Sequence, residues 1–296
     1  MNTNTNYNLS SVAMLCEFNA SVWTARKLDK QKSEDVVQHA GAKAKSAARV
    51  NKNLLAGRPE LEEIASLVGE ARTYVYANTT PWSDAGQRLI VTARMPAFDA
   101  KIEEYKRRFY LKVEEFVYLY PSLITAQAMA LGDMFNRNEF PSTSEIKHKF
   151  AMSCDYLPVP QAGDIRVDIG EQAQDELRQR LIASSEARVN KVMADITGRF
   201  TDHLKRMTER LAMSDKLTKK GEPIGGRIHD SLLNSALELC DMARDYNVTN
   251  DPLLSEARKA LEAALVGVTI NTLRDDLPKR EEVRVAATAI LNRFKL

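Results

Sequence analysis

From Glu171 to Ala212 the chain has no proline, and Leu177, Leu181, Val189, Val192, Ile196, Phe200, Leu204, Met207 and Leu211 recur mostly at spacings of three or four residues. Side chains so spaced fall along one stripe of an α-helix. A helix of that length reaches roughly 60 Å at 1.5 Å per residue, more than an ordinary globular helix. It must serve as a coiled-coil arm, as the spine of a bundle, or as an oligomer contact. Gly198 is its weak point. A chain with such a rod has few architectures open to it, and the predicted class is mainly α.

A second organising stretch, Ala97–Pro160, carries more than half of all the aromatic residues. Ile102, Tyr105, Phe109, Val113, Phe116 and Tyr120 again share a helical stripe, and Pro121 is expected to end that helix and begin another. Upstream, Ser33 with Glu34 and Asp35 reads as a helix start. The alanine-rich run behind it predicts a helix over 33–56, stopped at Gly57. Pro59 opens the next helix, with Leu61, Ile64, Leu67, Val68, Ala71 and Val75 on its buried face. The segment from Val12 to Leu28 fits a short strand or an entry helix.

Residues 88–94 read as a strand, and the alternation Ile165-Arg166-Val167-Asp168-Ile169 reads as a second one able to pair with it. Together they give a small two-stranded β element. A short helix capped by Ser142 or Ser144 runs to about Cys154. Helices at about 227–246, 252–268 and 279–294 follow the loop after Ala212. The expected organisation is a loose tail over 1–10, a helical domain with a minor sheet over 11–170, and the long helix with C-terminal helices over 171–296. The last two could form one continuous domain.

Several classes are set aside by what is missing. No apolar run of about 18 residues exists, so no membrane span is expected, and the polar start lacks the apolar core of a signal peptide. Cys16, Cys154 and Cys240 are odd in number and far apart, which suits free thiols in a reducing cytosol. His39, His148, His203 and His229 never fall at zinc-ligand spacing, and Asp164 and Asp168 suit solvent roles better than magnesium. No phosphate-binding glycine loop, nucleophile elbow or HExxH pair occurs. Neither an enzyme nor a cofactor is expected.

The formal net charge of +2 conceals a polarised distribution. Between Ala40 and Arg58 lie Lys43, Lys45, Arg49, Lys52 and Arg58 with no acid, and between Arg199 and Lys220 cations outnumber acids. Single-strand binding without base readout needs cations that follow phosphates and rings that stack on bases. The candidate cations are Lys43, Lys45, Arg49 and Lys52; Lys106, Arg107 and Arg108; and Lys216, Lys219, Lys220 and Arg227. The candidate rings are Trp23, Trp82, Tyr105 and Tyr110. Each cation could equally be a solvated helix face, and each ring a core residue.

Trp23 with Arg26-Lys27-Leu28, Pro81-Trp82 before Gly86, Leu131-Gly132-Asp133 with Phe135, Phe140-Pro141, Phe150, and Pro158-Val159-Pro160 before Ile165-Arg166-Val167 resemble a family of phage and prophage proteins, the DUF3150 proteins. The resemblance covers about residues 10–185. It implies a neighbour of the MoxR-type AAA ATPases and hence a structural or adaptor role. The chain is also similar to the helical single-stranded-DNA-binding RNA polymerase cofactors of N4-related bacteriophages. That likeness implies single-stranded DNA and a phage RNA polymerase as partners and the host cytoplasm as location, while the long helix makes a homo-oligomer the expected assembly.

Overall fold

The computed structural model describes residues 9–44, 46–160, 171–217, 223–225 and 228–293, with side chains left out at 213–217 and 223–225. In chain order the elements begin with α1 (Leu9–Val12), β1 (Ala13–Ser21), β2 (Arg26–Asp29), α2 (Lys30–His39) and β3 (Val50–Asn53). Next come α3 (Pro59–Asn78), β4 (Thr80–Pro81), β5 (Arg88–Val91), α4 (Met95–Leu131), α5 (Thr143–Lys147) and β6 (Ala151–Pro158). The remainder is α6 (Glu171–Leu211), β7 (Met213–Leu217), β8 (Pro223–Gly225), α7 (Ser231–Asp245), α8 (Pro252–Leu265), α9 (Ile270–Asp275) and α10 (Leu277–Arg293). The fold is mainly α. Its β content exceeds the expected pair of strands. A four-stranded sheet has the order β4-β5-β1-β6, and β2-β3 and β7-β8 are separate two-stranded sheets.

The chain forms two compact units, each assembled from non-adjacent segments. The first holds Met1–Cys16, Asn78–Pro96 and Tyr156–Leu296; the second holds Glu17–Ala77 and Ala97–Asp155. In the first unit the long helix α6 acts as a spine. Its stripe from Val189 to Leu211 is buried. α7 and α10 pack on it, and α8 packs on both of them, so four helices close a ring. Tyr246, just past α7, is fully buried. Its hydroxyl lies 2.7 Å from the Asn78 carbonyl and 3.3 Å from that of Leu89, which fixes the end of α7 to β5. Burial pushes its pKa well above the ordinary value of 10.0.

The second unit is built on α3 and α4. The residues buried on α3 are the six that its spacing predicts. Leu61, Ile64, Leu67, Val68 and Ala71 share a core with Phe109, Val113, Phe116 and Tyr120 of α4. Phe150 meets Phe116 edge-on at 5.4 Å, and Trp23 meets Tyr120 likewise at 5.8 Å. Burial pushes the Tyr120 hydroxyl up to about 12, while that hydroxyl donates to the Pro141 carbonyl at 3.2 Å.

Five local expectations are corrected. The helix expected over 33–56 ends at His39, and Gly41 turns the chain away with φ +64°. The chain returns as β3, antiparallel to β2 with Lys27 opposite Lys52. An alanine-rich run offers little apolar surface, and short helices hold mainly through packing. Ser33 does not cap; its hydroxyl donates to the Asp29 carbonyl and accepts from Val50 N–H, tying α2 to β3. The cap is Asp29, which accepts from Lys32 N–H at 3.0 Å.

Pro121 does not break α4. Its ring faces solvent, and the flanking Tyr120, Leu123 and Ile124 are buried. Packing thus offsets the lost backbone bond. The helix capped by Ser142, through a reciprocal bond with Glu145, stops at Lys147, and Ala151 onward is strand rather than helix. At the C-terminus a fourth helix, α9, appears where Thr269 caps Thr272. Of the tail expected over 1–10, residues 1–8 lie outside the described residues, as does the strand expected at 165–169, while Leu9 and Ser10 belong to α1 and Leu9 is buried.

Candidate nucleic-acid interface

In the second unit the candidate cations do not share one helix face. Lys43 lies on the exposed chain after α2, and Arg49 is exposed just before β3; neither has an ion-pair partner among the described residues. Lys45 lies outside them. Lys52 is buried: its Nζ donates to the Met134 carbonyl at 2.7 Å and stands 2.6 Å from a Glu139 oxygen. Glu139 Oε2 forms no aligned hydrogen bond, so that pair is held by charge. Lys52 is a structural lysine, and no phosphate can reach it without unfolding the site.

On α4 the basic trio divides. Lys106 bonds Glu103 at 2.7 Å, which raises its pKa. Arg108 stands 3.6 Å from Glu70 and 4.0 Å from Glu104. Arg107 is exposed and forms no close ion pair among the described residues, although its charge helps to lower the Glu104 carboxyl. The groove beside it, lined by Glu63, Glu70 and Glu115 with Arg108 and Lys112, has a volume of about 410 Å³. Lys112 there pairs with Glu63 and Glu115. The groove neutralises itself and offers a phosphate no surplus of positive charge.

The rings divide in the same way. Trp82 is buried in the first unit's core, with the Arg188 guanidinium 5.5 Å from its centroid. Tyr105 is half-buried among Tyr74, Lys101 and Arg108, each within 6 Å of its ring centre. Tyr110 is exposed along its ring, although its hydroxyl lies 3.4 Å from Met152 N–H. Sequence reasoning missed Tyr118 and Tyr76, both exposed. A signal for Tyr118 existed: it stands two residues from Tyr120, so the two cannot share a helix face. The side chain of Lys216 and all of Lys219, Lys220 and Arg227 lie outside the described residues.

Among the described residues no cluster of three or more His, Cys, Asp and Glu side chains could hold a metal ion. Burial pushes the Cys240 thiol up to about 12, far from a reactive thiolate. What the second unit does present is exposed tyrosine with a few unpaired cations, an arrangement suited to stacking and weak phosphate contact. Comparison with models of known families, with curated proteins and with solved structures finds no match.

Proposed function

We propose that the chain binds single-stranded DNA through stacking and phosphate contact, without base readout. The observation that supports this best is the exposure of tyrosine on the second unit: 85% for Tyr118, 53% for Tyr76 and 43% for Tyr110. Rings placed this far outside a core are available to the faces of unpaired bases. Arg107 lies about three turns before Tyr118 on the same side of α4, and Lys43 and Arg49 add unpaired charge. This set is narrower than the one expected from sequence, because Lys52, Lys106 and Arg108 are engaged and Trp82 is enclosed.

Likeness to the N4-related cofactors supports a phage RNA polymerase as the protein partner and the host cytoplasm as the setting. Among the described residues no helix is long and apolar enough to cross a membrane. The test is fluorescence anisotropy of an unstructured oligonucleotide at low salt. Tyr118→Ala should weaken binding by about 1–3 kcal/mol, Arg107→Gln should lessen the salt dependence, and Lys106→Gln should change little. A wild-type protein that fails to bind at low salt ends this reading.

A second reading, a structural or adaptor protein, is favoured by the amino-terminal half of α6. There Leu181 and Ile182 are 39% and 40% exposed, although Ile182 continues the stripe that is buried from Val189 onward. Association of this half with a second copy, or with an AAA ATPase of the MoxR type, would cover it.

A further inference from the structure

In the second unit β2 and β3 form a two-stranded antiparallel ribbon, with Arg26 opposite Asn53, Lys27 opposite Lys52 and Leu28 opposite Asn51. Side chains alternate between the two faces of a strand. Lys52 is buried against Glu139 and the Met134 carbonyl, so its face turns toward the body of the unit. The other face carries Arg26, Leu28, Asn51 and Asn53, all four exposed. The ribbon is pinned at both ends. Leu54 N–H donates to the Ala25 carbonyl at 2.7 Å, and the Ser33 hydroxyl joins Val50 N–H to the Asp29 carbonyl. Ala25, fully buried, is held at φ +52°, a conformation that a residue with a Cβ keeps only where its surroundings impose it.

The outer face has a defined chemistry. Neither Arg26 nor Asn51 has a hydrogen-bond or ion-pair partner among the described residues. Asn53 accepts from Leu55 N–H through its Oδ1 at 3.1 Å, which leaves its amide nitrogen to donate. No acid stands on this face. Arginine is the side chain that pairs with O6 and N7 of guanine, asparagine the one that pairs with N6 and N7 of adenine, and an apolar group suits the thymine methyl. Cations border the ribbon. Lys27 lies on it opposite Lys52, and Lys30 and Arg49 continue its two strands at one end. All three are exposed, and none is ion-paired among the described residues. Like charges opposed across a ribbon cost stability, and Glu139 neutralises only the lysine it touches. The surplus matches an anionic partner.

We propose that the outer face of this ribbon enters the major groove of duplex DNA, with Arg26 and Asn51 on base edges and Lys27, Lys30 and Arg49 on the flanking phosphates. A groove about 12 Å wide admits a two-stranded ribbon, whereas the deep, narrow major groove of duplex RNA does not. Strands of four residues, at about 3.4 Å per residue, cover roughly three base pairs. The inference goes beyond the single-strand reading, which rests on stacking tyrosines and shares only Arg49 with this surface.

The test is selection of duplexes bound by the full chain from a randomised DNA library. Anisotropy then compares the enriched duplex, an unrelated duplex and the RNA duplex of the enriched sequence. The expected outcome is a core of roughly three base pairs that contains guanine and adenine, bound at least about tenfold more tightly than the unrelated duplex. Arg26→Ala and Asn51→Ala should each lose about tenfold on the enriched duplex and little on the unrelated one. Lys30→Gln should weaken both duplexes alike and lessen the salt slope by about one. Binding confined to single strands, no enriched core, equal affinity for the RNA duplex, or wild-type affinity in both base-contact variants overturns the proposal. Tyr118→Ala should leave duplex binding unchanged, and Arg26→Ala should leave single-strand binding unchanged, so the two readings fail separately.

Discussion

Lys52 shows what position does to a basic side chain. In sequence it belongs to an acid-free cluster, yet β3 turns it inward onto Glu139 and the Met134 carbonyl. His203 shows the same for a titratable ring. Its depressed pKa means that the unfolded chain binds more protons than the folded one just below pH 6.5, so stability rises with pH there and falls on acidification. Above the ordinary value both states are neutral, and the ring contributes no slope. The carboxylates of Glu104, Glu145 and Glu281 are shifted down from 4.5, so their contributions are lost only at lower pH. Urea midpoints measured at pH 7.5, 6.5 and 5.5 should decline for the native chain, and His203→Gln should flatten the decline. An identical slope in the variant rules out His203 as the cause.

At the scale of elements, α6 owes its end to a residue far along the chain. Arg280 of α10 is fully buried and donates to the carbonyls of Leu211, Arg210 and Ala212 at 2.9, 3.1 and 3.3 Å. It satisfies acceptors that the last turn of a helix leaves open, and its charge complements the negative end of the dipole. Removing it strands buried carbonyls, so Arg280→Met should destabilise the chain by about 2–4 kcal/mol in chemical denaturation. Arg280→Lys should recover only part of that, because an ammonium lacks the planar fork. A loss under about 0.5 kcal/mol would mean that water caps α6 equally well. Nothing local to Leu211 announces this cap. The buried faces of α3 and of α6 beyond Val189 were legible, because a period of 3.6 is written in neighbouring residues. β3 was not legible, since a strand is held by its partner and β2 lies more than twenty residues earlier. Pro121 misled for a related reason: a proline penalty is local, while the burial that offsets it comes from the surrounding core.

At the scale of the whole chain, the exposed half of α6 bears on assembly. Ile196, Phe200 and Leu204 are buried within the first unit, so polar substitutions there should unfold the protein rather than dissociate it. Leu181→Glu with Ile182→Glu leaves that core intact and should reduce the mass seen by light scattering if this half joins copies. A native chain that scatters as a monomer at high concentration removes the self-association reading. The sequence by itself determined a mainly helical protein, the stripe that α3 buries and the part of the α6 stripe buried from Val189 onward, and the absence of familiar catalytic motifs, because periodicity and motif spacing are properties of adjacent residues. The tertiary structure alone decided which charges and rings remain available. Lys52 meets Glu139, Arg188 covers Trp82, and Arg26 and Arg49 stay unpaired among the described residues, because ion pairing and burial depend on segments that only folding brings within a few ångströms of one another.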